Sequence, residues 1–212
     1  NPYNRDTWDY VLDVAKDAAK KGFKEIQFDY IRFEATSQLR NASFDDLENG
    51  LTREEIIIEF IDYAMAELKP YGVEVSADVF GIVITSDRDG KAIGQDYVEM
   101  SKRLDVICPM VYPSHYGPGF YGRDKPDLYP YDILYGSMTD SGEVLSVIPE
   151  GDNKAIVRPW LQAFTASYLG SGNYMVYRKE AIRDQIQATY DAGLEEWILW
   201  NAGVKYNISY LL

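Results

Sequence analysis

The chain has 212 residues, enough for one domain with a full-sized core. Its formal net charge of −13, from 34 acidic and 21 basic side chains, disfavours nucleic acid and anionic membrane surfaces as partners. A single cysteine and a single histidine rule out an internal disulfide and the usual zinc ligand sets, so no metal and no cofactor is expected. No apolar run reaches membrane-spanning length, and no membrane insertion by this chain is expected. Eighteen tyrosines and four tryptophans suit stacking on sugar rings, and equally suit plain core packing.

Asn1 to Asn4 reads as a turn into a helix, with Asn4 or Asp6 as cap and Trp8, Val11, Leu12, Ala15 and Ala18 or Ala19 as its apolar stripe. Gly22 stops it. A strand follows at Glu25 to Phe33, with Ile26, Phe28 and Tyr30 on one face and Gln27, Asp29 and Ile31 on the other. Residues 34–51 are polar and aperiodic, as in a long loop. Thr52 and Glu55 form a capping-box pair before a helix through Ile56, Ile57, Phe60, Ile61, Ala64 and Leu68. Pro70 and Gly72 end that helix, and Val73 to Phe80 is the second strand, with Asp78 near its far end.

A loop is expected from Gly81 to Gly94, then a short helix through Tyr97, Val98 and Leu104. The third strand is Asp105 to Pro113, followed by a Gly/Pro/Tyr loop holding His115. A weaker helical pattern spans Asp132 to Val147. The fourth strand is Ala155 to Phe164, with Arg158, Trp160 and Gln162 on one face. A helix from Arg178 to Ala192, stopped by Gly193, precedes the fifth strand, Glu195 to Asn201. The triplets Asn41-Ala42-Ser43 and Asn207-Ile208-Ser209 fit a glycosylation pattern that is common by chance.

Strands and helices alternate, so the fold class is α/β with a parallel sheet. Long loops follow the strands and short returns precede them, which is the asymmetry of a (β/α) TIM-type barrel. A doubly wound sheet is the alternative, but it has no glycine-rich nucleotide loop in its favour here. A closed barrel needs eight strands and five are found, so the sheet is either open or the later part of a barrel.

Several segments together carry a family resemblance. They are Pro2-Tyr3-Asn4, Glu25 to Phe33 (EIQFDYIRF), Ser76 to Gly81 (SADVFG), Ile93 to Asp96 (IGQD), Pro109 to Gly119 (PMVYPSHYGPG), Arg158 to Phe164 (RPWLQAF) and Gly193 to Ala202 (GLEEWILWNA). In this order they resemble a bacterial family of glycoside hydrolase-like domains, distantly similar to α-amylase-type barrels. The resemblance runs nearly the whole chain and implies a single domain over residues 1–212. It also implies a family domain that is longer at its N-terminus, with the five strands here equivalent to barrel strands four to eight. Two open sheet edges would follow, and with them a tendency to self-associate. The expected location is outside the cytoplasm or at the cell envelope of a bacterium, with the cytoplasm as alternative. One departure is Glu34, where the family pattern usually continues with proline.

Glycosidic cleavage needs two carboxyl groups. Asp29 and Asp78 lie at matching heights on consecutive strands, and neighbouring strands sit about 4.8 Å apart. The α-amylase-like resemblance implies Asp29 as nucleophile and Asp78 as general acid/base. The alternatives are a salt bridge from Asp29 to Arg32 or a helix cap beyond the strand, and an Asp78 that orients another group while Glu34 or a further acid donates the proton. Substrate contacts are expected from Arg32, Tyr112, His115, Trp160, Gln162, Trp200 and Asn201. Each has a plain packing role as its alternative, and Arg158, deeper on its strand, can pair with a buried acid. The function expected is hydrolysis of a poly- or oligosaccharide; the alternative is a non-catalytic carbohydrate-binding barrel.

Overall fold

The computed structural model describes residues 1–34 and 50–210. Most of the expected loop at 34–51, and the triplet at Asn41, lie outside the described residues. The helices are α1 (Arg5–Lys20), α2 (Arg53–Leu68), α3 (Asp87–Ile93), α4 (Tyr97–Ser101), α5 (Pro130–Leu145) and α6 (Lys179–Asp191). The strands are β1 (Glu25–Phe28), β2 (Glu74–Phe80), β3 (Val106–Val111), β4 (Ile156–Val157), β5 (Trp160–Gln162) and β6 (Ile198–Trp200). They join in the order β1-β2-β3-β5-β6, and β4 pairs with β3. The β1/β2, β3/β5 and β5/β6 ladders are parallel, and the fold is α/β of the incomplete (β/α)-barrel type.

The chain divides into two compact units. The first holds residues 1–79, 85–107 and 145–156. Asn4 caps α1 by accepting from the Asp6 amide at 3.0 Å, and Trp8, Leu12 and Ala15 form its buried stripe. Thr52 and Glu55 close the expected capping box on α2, whose Ile56, Ile57, Phe60, Ile61, Ala64 and Leu68 are all buried. Phe60 sits edge-on to Trp8 at 5.5 Å and to Phe28 at 5.4 Å, so α1, α2 and β1 share one aromatic cluster. Each such side chain, fully buried, contributes roughly 1.5–3 kcal/mol.

The expected nine-residue first strand stops at Phe28. The Asp29 carboxylate accepts from the Tyr30 amide at 2.7 Å, and Tyr30 takes φ +57°. The Arg32 amide then donates to the Tyr30 carbonyl at 2.8 Å. This tight turn competes with the ladder for the same backbone groups. Tyr30 is therefore not on the apolar face with Ile26 and Phe28, as alternation suggested; it is 74% exposed. The segment expected as loop before Gly94 contains α3, capped by Ser86 and closed by Gly94 at φ +80°. Its seven residues are too few to show an apolar period.

The second unit holds residues 80–84, 108–144 and 157–212. Its core includes Leu161 of β5, Ile133, Leu134 and Met138 of α5, and Ala181, Ile182 and Ala188 of α6. The expected strand Ala155 to Phe164 is two short pieces, β4 and β5, broken at Arg158-Pro159. Pro159 has no amide hydrogen for a ladder, but its carbonyl accepts from Ile198 at 2.9 Å.

Candidate functional site

In the first unit the register pairs Glu25 with Glu74, Gln27 with Ser76 and Phe28 with Ala77. Beyond the last pair the next residues are Asp29, which has left β1 and lies in the turn, and Asp78, which is still inside β2. The rungs below are joined across the strands. Ser76 donates to Glu25 at 2.5 Å, and Gln27 Nε2 donates to Asp78 Oδ1 at 2.9 Å. This ladder explains how Ser76 and Asp78 are tolerated at 0% and 6% exposure: each buried polar group meets a partner. The Asp78 carbonyl also accepts from Gln95, which is buried.

Asp29 is exposed, with Oδ1 bound to the Tyr30 amide. The left-handed backbone of Tyr30 costs about 1–2 kcal/mol for a residue with a Cβ. Arg32 is half-buried, donates from Nη1 to the Phe33 carbonyl at 3.0 Å and places its guanidinium 5.3 Å from the Tyr30 ring centre. A cavity of about 240 Å³ opens beside this turn, rimmed by Asp29, Tyr30 and Arg32 and floored by Trp8, Phe28 and Phe60.

In the second unit Tyr112 is buried at the end of β3. It stands edge-on to His115 at 5.1 Å and to Phe164 at 5.7 Å. His115 is exposed at its surface, yet the protein around its ring lowers its pKa below the ordinary 6.5 by desolvation. Trp160 and Trp200 meet edge-to-face at 5.8 Å, and Trp200 is 42% exposed. Asn201 donates to the Ala163 carbonyl at 2.6 Å and accepts from Gly203 at 2.8 Å. It borders a cavity of about 510 Å³ with Phe164, Tyr177, Lys205 and Tyr206. Arg158 forms an ion pair with Glu196 at 2.6 Å, a partner that is partly exposed rather than deeply buried.

Gln162 is fully buried. Its side chain accepts from the Ser114 amide at 3.1 Å and donates to Asp127 at 2.8 Å and to the Phe164 carbonyl at 3.1 Å. In this conformation it ties loops together rather than facing solvent. Its backbone is bracketed by Gln185, which accepts from the Gln162 amide at 2.8 Å and donates to its carbonyl at 2.9 Å.

Sequence reasoning missed Asp127. It is 2% exposed, accepts from Gln162 and, at 3.1 Å, from the Met175 amide, and its carbonyl accepts from Tyr177. Burial pushes its pKa above the ordinary 3.8, against those two bonds to the carboxylate. Only the Lys-Pro-Asp turn pattern could have marked it, and such turns are common. Among the described residues no group of three or more His, Cys, Asp and Glu side chains is placed to hold a metal ion.

Residues 1–206 match a family model described as "Putative glycosyl hydrolase domain". No curated protein matches the sequence. Among solved structures, the PgaB (BpsB) glycoside hydrolase domain from Bordetella bronchiseptica superposes with a TM-score of 0.58 at 14% identity, covering 95% of this chain and 58% of its own. The spore cortex-lytic enzyme SleL of Bacillus megaterium gives 0.57 at 16% identity, with 99% and 53% covered. A chitinase from Chromobacterium violaceum gives 0.57 at 12%, with 96% and 68% covered. These likenesses concern the fold, and the chain spans little more than half the length of the first two. The family model covers nearly every residue, and on that ground the chain belongs to the glycosyl hydrolase-like domain family that the model describes.

Proposed function

We propose that residues 1–212 are one glycoside hydrolase-like domain that cleaves glycosidic bonds of a poly- or oligosaccharide with Asp29 and Asp78. The observation that carries this is the pairing of Phe28 with Ala77, after which Asp29 and Asp78 are the next residues of two adjacent parallel chains. Parallel neighbours stand about 4.8 Å apart, which suits the roughly 5–5.5 Å carboxyl separation of retaining enzymes. In the first step an Asp29 oxygen bonds to the anomeric carbon. The glycosidic C–O bond breaks, and protonated Asp78 gives its proton to the leaving oxygen. In the second, Asp78 takes a proton from water, whose oxygen displaces Asp29 from the anomeric carbon. Exposed Asp29 suits the attacking role, and sheltered Asp78 suits the group that exchanges a proton. Within the second unit, taken by itself, Asn201, Trp200 and His115 serve as saccharide contacts, with Tyr112 packed against His115 and Trp160 against Trp200. The likeness to a spore cortex-lytic enzyme favours a location outside the cytoplasm.

The test is release of reducing ends from a panel of polysaccharides by this chain, beside its Asp29→Asn and Asp78→Asn variants. Turnover by the wild-type chain and its loss in both variants supports the reading. Turnover undiminished in Asp29→Asn removes Asp29 from the mechanism. The burial of Asp78 against Gln27 favours one other reading, a carbohydrate-binding module with structural acids. It predicts saccharide binding with no turnover at all.

A further inference from the structure

We propose that Tyr30 is a sugar-stacking platform beside Asp29, an inference that rests on the site reading above and adds a substrate-binding residue to it. Three features of the same side chain carry it. The ring is 74% exposed although it lies one residue from a candidate nucleophile. Its backbone is left-handed at φ +57°, held there by the Asp29 carboxylate on its amide and by the Arg32 amide on its carbonyl. The guanidinium of Arg32 stands over the ring, 5.3 Å from its centre.

A glycine would take this backbone without penalty, so the local chain geometry does not call for a tyrosine. Nor does packing call for it, because a ring with this exposure adds little to the core. What the arrangement does supply is an aromatic plate fixed relative to a carboxylate. The turn that exposes Tyr30 is the turn that orients Asp29, since one hydrogen bond serves both residues. Arg32 over one face restrains the plate and leaves the opposite face for the C–H face of a pyranose ring, which is the surface aromatic side chains bind in saccharides. The ligand class is therefore a neutral hexopyranose unit of the substrate, seated next to the bond that Asp29 attacks. An anionic sugar would suit the strongly acidic chain less well.

The experiment measures the dissociation constants of chitohexaose and maltohexaose by calorimetry. The protein is the whole chain carrying Asp29→Asn, alone and combined with Tyr30→Phe, Tyr30→Ala or Tyr30→Gly. Asparagine keeps the acceptor for the Tyr30 amide while preventing turnover. The expected result is binding of one hexasaccharide, weakened about tenfold by Tyr30→Ala and Tyr30→Gly and less than about twofold by Tyr30→Phe. Tyr30→Gly is expected to melt no lower than its parent, because it removes backbone strain. Equal affinity across the series overturns the platform while leaving hydrolysis by the wild-type chain, measured separately, to stand. Binding lost only in step with a lowered melting temperature in Tyr30→Gly also overturns it, since that marks a structural residue. No binding of either probe overturns it as well. Tyr30-dependent binding without any turnover by the wild-type chain supports the platform and removes the glycosidase reading.

Discussion

Gln27 on β1 donates from Nε2 to Asp78 Oδ1 on β2 at 2.9 Å, so the most buried carboxylate of the first unit's strand ends is held by the strand beside it. Truncating Gln27 to alanine takes away that donor. A buried acceptor left without its donor costs about 1–3 kcal/mol. Gln27→Ala is expected to lose stability of this order in urea unfolding, and to lower turnover of any accepted saccharide through kcat more than KM. Unchanged stability would mean that Asp78 draws its support from elsewhere.

Asp29→Asn preserves the acceptor for the Tyr30 amide, so the turn and the fold are expected to survive, with an unaltered circular dichroism spectrum. Removing a carboxylate that acts in the reaction lowers the rate by at least about 10²–10⁴-fold. Reducing-end assays on the purified variant check this. A variant as active as its parent would reassign Asp29 to shaping the turn alone.

Asp127 gives a pH-dependent prediction for stability. Burial raises its folded-state pKa above 3.8, so the folded protein holds this proton more tightly than the unfolded chain. The stabilisation is fully present below the unfolded value and is lost as pH rises through the raised folded value. Asp127→Asn does not titrate. The stability of the wild type minus that of this variant should therefore fall as pH rises from below the unfolded value through the raised folded value. The variant also gives up the acceptor for Met175, which offsets the difference by a constant without changing its slope. Urea unfolding at a series of pH values measures it, and parallel profiles would contradict a raised pKa.

Gly136 on α5 lies under the Tyr121 ring, where a Cβ would come within 2.3 Å of Cδ1. Tyr121 has little freedom to yield, because its backbone is left-handed at φ +50° and its hydroxyl donates to Asp140 at 2.8 Å. Gly136→Ala is expected to cost about 1–3 kcal/mol as overpacking, despite alanine's better helix propensity. Thermal melting separates the two effects, since an increase in melting temperature would show that the ring moves freely.

The alternation of strand and helix, the Trp8, Leu12 and Ala15 part of the α1 stripe (Val11 is exposed) and the Thr52–Glu55 cap could be read from the chain because each depends on neighbours within one or two turns. The adjacency of the two strands that lead to Asp29 and Asp78 was also legible. Each strand follows a helix, and the strands pair in parallel from Glu25–Glu74 to Phe28–Ala77. Tertiary structure decided the rest. Alternation continues past Phe28 in the sequence, but the bond between Asp29 and the Tyr30 amide ends the strand and turns Tyr30 out to solvent. Nothing periodic marks Asp127, because its partners Gln162 and Met175 lie 35 and 48 residues away and meet it only when the loops close over them. Local pattern fixes where backbone groups can pair with near neighbours. Which polar side chains are buried, and against what, depends on contacts far apart in the chain, and these exist only in the folded protein.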